Sequence, residues 1–453
     1  MTVFDQTRLT NVDHGLDIGR IRRSYYADKY FENIRNILEG CARDGKTFGD
    51  FGGNSPRPLP TNPADLPIGD IVVEAQIFHR RQPRALVAGV DIALWLLRHG
   101  TGYFDADDVF VQTWQNLEVT AVHDGMWADY EGDPSQITPV LEIRGRYRDF
   151  AHLETNLLGF LSRASRIATN VYEVQAVTHG KPLLFFPARF DLPDVQAADG
   201  YAYWLAVQRA AADTGHDLAP LVSTDAQAAW WGGSGAGTVP HALIAAFLAD
   251  TAAAMSAFAQ YTPPDVPRIV LADFNNDSVE AVLQTLARYW ERYAVALEAD
   301  DQESQQRWTL NGVRLDTGSK MVDKSLQPDG APGVSADLVR AVRHALDDAW
   351  QDWNVPAELQ DTAQQYCQNV GITVSGGFDR EKIERFEADN VPVTAYGVGS
   401  SLFSNDSALG TNTDYTMDIV RVKLGDDWVD IAKTGRQPCD NPDLQPVDLD
   451  IFS

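Results

Sequence analysis

The sequence has little cysteine, and this shortage limits what the protein can be. Its 453 residues include only Cys41, Cys367 and Cys439, which lie far apart with no C-x-x-C pair. This spacing excludes a disulfide framework and a zinc ribbon, and it predicts a reducing, cytoplasmic location. The nine histidines form no H-E-x-x-H motif or other paired spacing, so we expect no dedicated metal site made of protein side chains.

Positive charge is also scarce, and arginine carries nearly all of it. The chain has 37 Lys and Arg residues, only eight of them lysines, against 64 Asp and Glu residues, so its net charge is −27. Such a surface repels polyanions, so we expect no nucleic-acid partner and no anionic membrane partner. A salt-rich habitat and a simple bias toward solubility explain the acidity equally well.

Long hydrophobic runs are missing as well. No uncharged apolar stretch is long enough to cross a bilayer, and the N-terminal sequence MTVFDQTRLTNVDHGLDIGR lacks the apolar region of a secretory signal. We therefore expect a chain that is neither embedded in a membrane nor exported. A chain of this length exceeds what one hydrophobic core usually supports, which predicts two domains.

The pattern of strands and helices changes near residue 149. Before this point, short β-rich runs flank a helical stretch from Ala85 to Arg98, which predicts a small α+β domain. After it come a helical segment and a loop-rich stretch that ends near Gly237. Four strand-like runs then alternate with helices: PRIVLADF, GVRLDTG, ITVSGG and TAYGVGSS. This alternation predicts a parallel α/β sheet, with closure into an irregular (β/α) TIM-like barrel as the favoured form.

Glycines at two strand ends near the C-terminus indicate a phosphate site. The run ending at Gly376 and Gly377 and the run containing Gly397 and Gly399 lie about twenty residues apart, with a helical stretch between them. Backbone approaches a phosphate closely only where no Cβ intervenes, and the last two loops of a β/α barrel commonly bind phosphate. The sequence therefore predicts a sugar phosphate or nucleotide ligand.

Charged and aromatic residues in neighbouring segments suggest further ligand contacts. Arg314 and Asp316 share one face of a strand, where they either contact a ligand or form a solvent-facing ion pair with each other. His241 opens an apolar helix three residues after Thr238, and it is either a satisfied polar group or a catalyst. Phe186 and Arg189 follow an apolar run, where the ring either stacks on a flat anion or packs in the core.

Seven segments taken in order resemble the nicotinate phosphoribosyltransferases, a branch of the type II phosphoribosyltransferases. These segments are YADKYFEN, RGRYRDFAHLETNLLGFLSRASRIAT, GTVPHAL, VRLDTGS, VSGGFDREKI, AYGVGSSL and TDYTMDIVRV. Each match is weak alone, but together they cover nearly the whole chain and are most similar to the shorter archaeal-type members. The resemblance implies an α+β domain made of residues 1–148 and 413–453, and a barrel domain made of residues 149–412.

The resemblance also implies an activity and a set of roles. Nicotinate would condense with phosphoribosyl pyrophosphate to give nicotinate mononucleotide and pyrophosphate, with Mg²⁺ present and ATP hydrolysed. His241 would be the histidine that ATP phosphorylates, and Asp316 would hold the ribose hydroxyls. The nicotinate contacts would be Tyr30, from the second subunit of a homodimer with shared sites, together with Phe186, Thr238 and Arg314. The phosphate contacts would be Arg189, Ser375, Gly376, Gly377, Gly397, Gly399 and Ser400.

The sequence departs from the family at several points. Family members often have paired arginines where this chain has Arg189-Phe190. The stretch 190–236 does not follow the usual family sequence, and TGSKMVDKS replaces an aspartate-rich region. Two alternatives therefore stay open. One is a different pyridine substrate, nicotinamide or quinolinate, on the same scaffold, and the other is a non-catalytic barrel that binds nucleotides.

Overall fold

The structure, a computed structural model, describes residues 8, 10, 16–237 and 239–453. It divides into two units, the first formed by 1–172, 197–209 and 403–453 and the second by 173–196 and 210–402.

The strands are β1 (Val72–His79), β2 (Arg84–Leu86), β3 (Gly102–Phe104), β4 (Phe110–Gln112), β5 (Glu118–Ala121), β6 (Trp127–Asp129), β7 (Leu141–Arg146), β8 (Leu183–Phe185), β9 (Leu221–Val222), β10 (Ile269–Leu271), β11 (Gly312–Leu315), β12 (Gly371–Val374), β13 (Ala395–Val398), β14 (Tyr415–Leu424), β15 (Asp427–Asp430) and β16 (Gln445–Pro446). The helices are α1 (Ile18–Arg22), α2 (Lys29–Arg43), α3 (Val90–Gly100), α4 (Glu154–Ala176), α5 (Gln196–Thr214), α6 (Asp225–Ala228), α7 (His241–Ala246), α8 (Thr251–Tyr261), α9 (Ser278–Glu298), α10 (Gln302–Arg307), α11 (Ala336–Asp348), α12 (Gln360–Gln368) and α13 (Arg380–Ala388).

The first unit is built on an antiparallel sheet in the order β15-β14-β1-β7-β5-β16. Its central strand β1 pairs with β14, so residues near the C-terminus complete a sheet that begins near residue 72. Glu74 of β1 is fully buried and accepts hydrogen bonds from Arg144 of β7 at 2.7 Å and from Arg421 of β14 at 2.8 Å. These ion pairs tie the three strands together across the chain.

The first unit extends past residue 148, where the sequence predicted its boundary. Phe150 and the side chains of Leu153, Leu157 and Leu161 are buried in the same apolar core as β1 and α3. The start of α4 therefore belongs to this unit, because its apolar stripe covers the antiparallel sheet.

The second unit is a curled parallel sheet of six strands that forms a half barrel. The strand order is β10-β11-β12-β13-β8-β9, and every neighbouring pair is parallel. Strands therefore follow one another around the sheet in chain order, with the last strand, β13, beside the first, β8. Within the described residues β9 and β10 do not pair, so the expected barrel is open between them.

The segment from Ser223 to Arg268 accounts for this opening. Between β9 and β10 its described residues form the short helices α6, α7 and α8 and no strand. The preceding stretch, however, is more regular than predicted, because β8, the 19-residue helix α5 and β9 replace the expected loops. Helix α5 is rich in alanine and aromatic residues on several faces, so its hydrophobic period is weak in the sequence.

The helices that follow β10, β11 and β12 each begin at a side-chain cap. Asp277 caps α9, Ser335 caps α11 and Asp379 caps α13, each accepting a backbone N–H three residues on. These caps fix where each helix begins after its strand, and so set the lengths of the loops at the carboxyl edge of the sheet. Of the helices described here, none combines the length and apolarity needed to cross a bilayer.

Candidate active site

A cleft of about 780 Å³ lies at the carboxyl edge of the parallel sheet. Strands β8, β11, β12 and β13 deliver their last residues to it, because parallel strands all end at the same edge. The cleft includes eleven of the residues predicted for the site: Phe186, Arg189, His241, Arg314, Asp316, Ser375, Gly376, Gly377, Gly397, Gly399 and Ser400. Five separate stretches of the chain thus meet in one place.

Arg314 lies on β11 and Asp316 directly follows this strand, with the Ser375 hydroxyl between their side chains. The Arg314 Nε–H donates to Ser375 Oγ at 2.8 Å, and the Ser375 hydroxyl donates to Asp316 Oδ1 at 2.8 Å. Direct contact between Arg314 Nη2 and Asp316 Oδ2 is longer, at 3.4 Å. The two residues therefore form an ion pair with each other, and both also line the cleft, where a ligand contact stays a prediction.

Gly376 and Gly377 form a turn suited to an anion. Their φ angles are +80° and +75°, a conformation in which glycine is favoured. In the described chain, neither N–H has a hydrogen-bond acceptor, and a Cβ on Gly377 would meet no atom within 4 Å. Successive N–H groups in such a turn make a concave site for a phosphate.

Gly397 and Gly399, which the sequence predicts as phosphate contacts, each accommodate an aromatic ring. A Cβ on Gly397 would lie 2.7 Å from Cε2 of Phe186, and a Cβ on Gly399 would lie 3.0 Å from Cε2 of Phe190. The absence of side chains on this edge of β13 therefore lets two rings approach the backbone. Phe190 is not among the site residues predicted from the sequence, although it stands where members of the resembled family often have a second arginine.

Phe186 also contacts the cation of the site. Its ring centroid lies 5.0 Å from the Arg314 guanidinium carbon, within the range of a cation–π interaction. Arg189 lines the same cleft and is exposed, with its guanidinium 5.5 Å from the ring of Phe190. The cleft thus presents two arginines, each beside an aromatic ring.

His241 is the first residue of α7 and pairs with an aspartate that the sequence reasoning missed. Its Nε2 lies 3.0 and 3.1 Å from the two carboxylate oxygens of Asp273. Burial raises the pKa of Asp273, the imidazole of His241 opposes this rise, and the neighbouring Asp316 adds to it. The position of Asp273 just after the apolar run of β10 was the available signal.

Because an ionised carboxylate only accepts hydrogen bonds, this geometry assigns a tautomer to His241. In a neutral imidazole with this geometry, Nε2 carries the proton toward Asp273 and Nδ1 keeps a lone pair. An imidazole held in this way can act as a nucleophile through Nδ1.

The carboxylates of the site fit a Mg²⁺ ion that is held mostly by substrate phosphates. Mg²⁺ usually keeps several waters and takes one or two protein carboxylates. Asp316 lines the cleft, and Asp273 lies close enough to it that the charge of Asp316 raises the pKa of Asp273. Among the described residues no cluster of three or more His, Cys, Asp or Glu could hold a metal by itself.

Two predicted nicotinate contacts are not among the residues described for this cleft. Tyr30 lies in the first unit, on α2, where it is 59% exposed and donates to Asp28 Oδ2 at 3.2 Å. Thr238 lies outside the described residues.

Comparisons with known proteins agree with this architecture. A sequence-family model described as quinolinate phosphoribosyl transferase, N-terminal domain, matches residues 64–165. The structure of nicotinate-nucleotide pyrophosphorylase from Pyrococcus furiosus is similar at 25% identity and a TM-score of 0.58, covering 96% of this chain and 82% of that one. Human nicotinic acid phosphoribosyltransferase is similar at 18% identity and a TM-score of 0.52, covering 78% of this chain and 71% of that one.

These similarities carry different weights. The human protein, at 18% identity, supports the fold alone. The family model and the Pyrococcus protein together support a relationship to the type II phosphoribosyltransferases of NAD synthesis. They do not decide the pyridine substrate, because the family model is that of a quinolinate enzyme and the human protein acts on nicotinic acid.

Proposed function

We propose that this chain is a nicotinate phosphoribosyltransferase that joins nicotinate to phosphoribosyl pyrophosphate with ATP hydrolysis. The observation that carries the proposal is the grouping of Arg314, Phe186 and Asp316 beside the Gly376-Gly377 turn in one cleft. A cation next to a ring suits a flat aromatic acid, and an anion turn next to a carboxylate suits a sugar phosphate.

The reaction needs positioning more than proton transfer. The pyridine nitrogen already has a lone pair, which attacks the anomeric carbon while the bond from that carbon to the pyrophosphate oxygen breaks. Pyrophosphate leaves with the bonding electrons. In this proposal Arg314 holds the nicotinate carboxylate, Asp316 accepts hydrogen bonds from the ribose hydroxyls, and the turn at Gly376 holds the 5′-phosphate.

Charge in the cleft explains a requirement for Mg²⁺. The ionisable residues that line it are Arg189, His241, Arg314, Asp316 and Asp379, so positive and negative side chains nearly balance. Phosphoribosyl pyrophosphate adds several negative charges that these side chains do not offset. Mg²⁺ near Asp316 and Asp273 would neutralise the leaving pyrophosphate.

ATP coupling is assigned to His241 with Asp273. Nδ1 of His241 attacks the γ-phosphorus of ATP, the bond to the bridging oxygen breaks, and ADP leaves with those electrons. The Asp273 carboxylate orients the imidazole and stabilises the positive charge that develops on it. Tyr30 from the second subunit of a homodimer would complete the nicotinate site.

Quinolinate is the second candidate substrate, because the family model that matches residues 64–165 is that of quinolinate phosphoribosyl transferase. Quinolinate carries two carboxylates, so its site should provide more cations than one. The lining residues described here include only Arg189 and Arg314 as permanent cations. With Arg189 assigned to the phosphoribosyl pyrophosphate, a single arginine remains for the ring, which suits nicotinate better.

The first test compares product formation from nicotinate, nicotinamide and quinolinate, each with and without ATP. We expect nicotinate to give the highest kcat/KM and ATP to stimulate its turnover. A higher kcat/KM for nicotinamide or quinolinate would overturn the substrate assignment, and absence of product from all three would favour a non-catalytic nucleotide-binding barrel.

His241→Ala and Asp273→Asn test the coupling separately from the transfer. We expect His241→Ala to abolish ATP stimulation and to leave the ATP-independent rate measurable. Asp273→Asn should lower the stimulated rate at least about tenfold, because the imidazole loses its orienting carboxylate. Unchanged ATP stimulation in His241→Ala would contradict the phosphohistidine role. Incorporation of ³²P from γ-labelled ATP provides a direct readout.

A further inference from the structure

Ser375 lies at the carboxyl end of β12 and is 3% exposed. Its hydroxyl accepts the Nε–H of Arg314 and donates its single proton to Asp316 Oδ1, both at 2.8 Å. Its backbone N–H donates to the carbonyl of Leu315 at 2.9 Å. Every donor on this residue is therefore already in use within the protein.

This arrangement leaves no donor on Ser375 for a phosphate. A phosphate oxygen accepts hydrogen bonds, so the hydroxyl could reach it only by releasing Asp316. The adjacent turn at Gly376 and Gly377 does offer N–H groups without protein acceptors among the described residues. The phosphate contact predicted for Ser375 is thus better supplied by its neighbours.

The hydroxyl instead controls the distance between Arg314 and Asp316. Their closest direct contact is 3.4 Å, whereas a free guanidinium–carboxylate pair usually closes to about 2.7–2.9 Å. With Nε held by Ser375, the guanidinium also remains beside the ring of Phe186. An arginine pulled fully onto Asp316 would offer less positive charge to a ligand. The Asp316 carboxylate would still accept hydrogen bonds from ribose hydroxyls, because removal of the Ser375 hydroxyl frees Oδ1 while Arg314 Nη2 faces Oδ2.

We propose that Ser375 is a positioning residue that keeps Arg314 and Asp316 separate and available in the cleft, and so sets the preference for a pyridine carrying a carboxylate. This inference rests on the proposed function for the identity of the pyridine. The geometric part, which is the role of the hydroxyl between the two charged groups, does not depend on it.

The kinetic test compares Ser375→Ala with Ser400→Ala, since each removes one hydroxyl from the same cleft. We expect Ser375→Ala to raise the KM for nicotinate about 10- to 100-fold, the usual effect of losing a hydrogen bond to a charged group, while the KM for nicotinamide changes little. The KM for phosphoribosyl pyrophosphate should stay within about threefold. Ser400 is exposed and is proposed to contact phosphate, so Ser400→Ala should show the reverse pattern. The positioning role is overturned if Ser375→Ala raises the KM for phosphoribosyl pyrophosphate and spares nicotinate.

Ser375→Thr keeps the hydroxyl and should retain the preference for nicotinate over nicotinamide. If Thr and Ala lose this preference equally although both variants fold with the melting temperature of the unaltered chain, the hydroxyl is not the cause and the proposal fails.

A crystal structure of Ser375→Ala decides the geometric part even if the unaltered chain turns over no pyridine. We expect the Arg314–Asp316 contact to shorten below 3.4 Å and the guanidinium to move away from Phe186. Titration with ribose 5-phosphate should show the same affinity for the variant and the unaltered chain. An unmoved arginine, or weaker ribose 5-phosphate binding, would refute the assignment independently of the proposed function.

Discussion

Gly397 shows how one missing side chain shapes the ligand site. A Cβ built on Gly397 would lie 2.7 Å from the Phe186 ring, which is too close for a real side chain. The same Cβ would lie only 3.2 Å from Ser375 Cβ. We expect Gly397→Ala to push the ring out of place, to raise the KM for nicotinate about tenfold, and to destabilise the protein by about 1–3 kcal/mol through overpacking. Steady-state kinetics and urea denaturation measure the two effects.

Gly159→Ala is the matched control for this prediction. Gly159 lies within α4, where an added Cβ meets no atom within 4 Å and φ is not positive. Its substitution should leave the KM for nicotinate unchanged and should raise stability by up to about 1 kcal/mol through better helix propensity. If both alanines gave the same KM, the contact between Phe186 and Gly397 would not matter for binding.

At the scale of a single element, two arginines satisfy carbonyls at the C-terminal end of α8 and in the segment that follows it. Arg268 is fully buried and donates to the carbonyls of Ala259, Thr262, Pro263, Pro264 and Val266. Arg307 donates to three carbonyls of the same end but is partly exposed. A helix end needs such partners because its last carbonyls have none within the helix.

Replacing these arginines tests the requirement. We expect Arg268→Met to lower the free energy of unfolding by about 3 kcal/mol, because several buried carbonyls lose their donors. Arg307→Met should cost only about 1 kcal/mol, since water can replace an exposed donor. Chemical denaturation of both variants gives the comparison, and equal losses would show that burial of Arg268 is unimportant.

At the scale of the whole molecule, the excess of acidic groups predicts how stability depends on pH. Burial raises the pKa of Asp124, and the nearby charge of Asp91 adds to this rise. Burial also raises the pKa of Glu154 to about 8, with smaller contributions from the charges of Asp418 and Asp28. A carboxyl group whose pKa is higher in the folded state binds a proton more tightly there than in the unfolded chain. Its stabilisation is therefore complete below the unfolded pKa and is lost as pH rises through the folded pKa.

We expect the free energy of unfolding to fall between about pH 4.5 and pH 8, and the net charge of −27 adds repulsion in the same direction. Glu154→Gln should reduce the slope of the unfolding free energy against pH by an amount that corresponds to at most about one bound proton. Denaturation at several pH values across this range measures the slope. High salt should remove the repulsion between surface charges, because the Debye length falls from about 10 Å at 0.1 M to about 3 Å at 1 M. It should not remove the pH dependence that comes from the buried carboxyl groups. A Glu154→Gln variant with the unaltered slope would contradict the contribution of this residue.

The sequence predicted the features that depend on local patterns. Alternating strand and helix segments and the glycines at the strand ends follow from short-range sterics and hydrogen bonding, and the structure has them where expected. The resemblance of ordered motifs also brought together most of the residues that line the cleft.

Only the tertiary structure decided how those residues contact one another. The pairing of His241 with Asp273, the use of Ser375 between Arg314 and Asp316, and the ring of Phe190 over Gly399 join positions 32 to 209 residues apart, so no local pattern contains them. The opening between β9 and β10 likewise depends on which strands find partners across the sheet. The sequence by itself determined which groups reach the carboxyl edge of the sheet, and packing decided which of them remain free to meet a ligand.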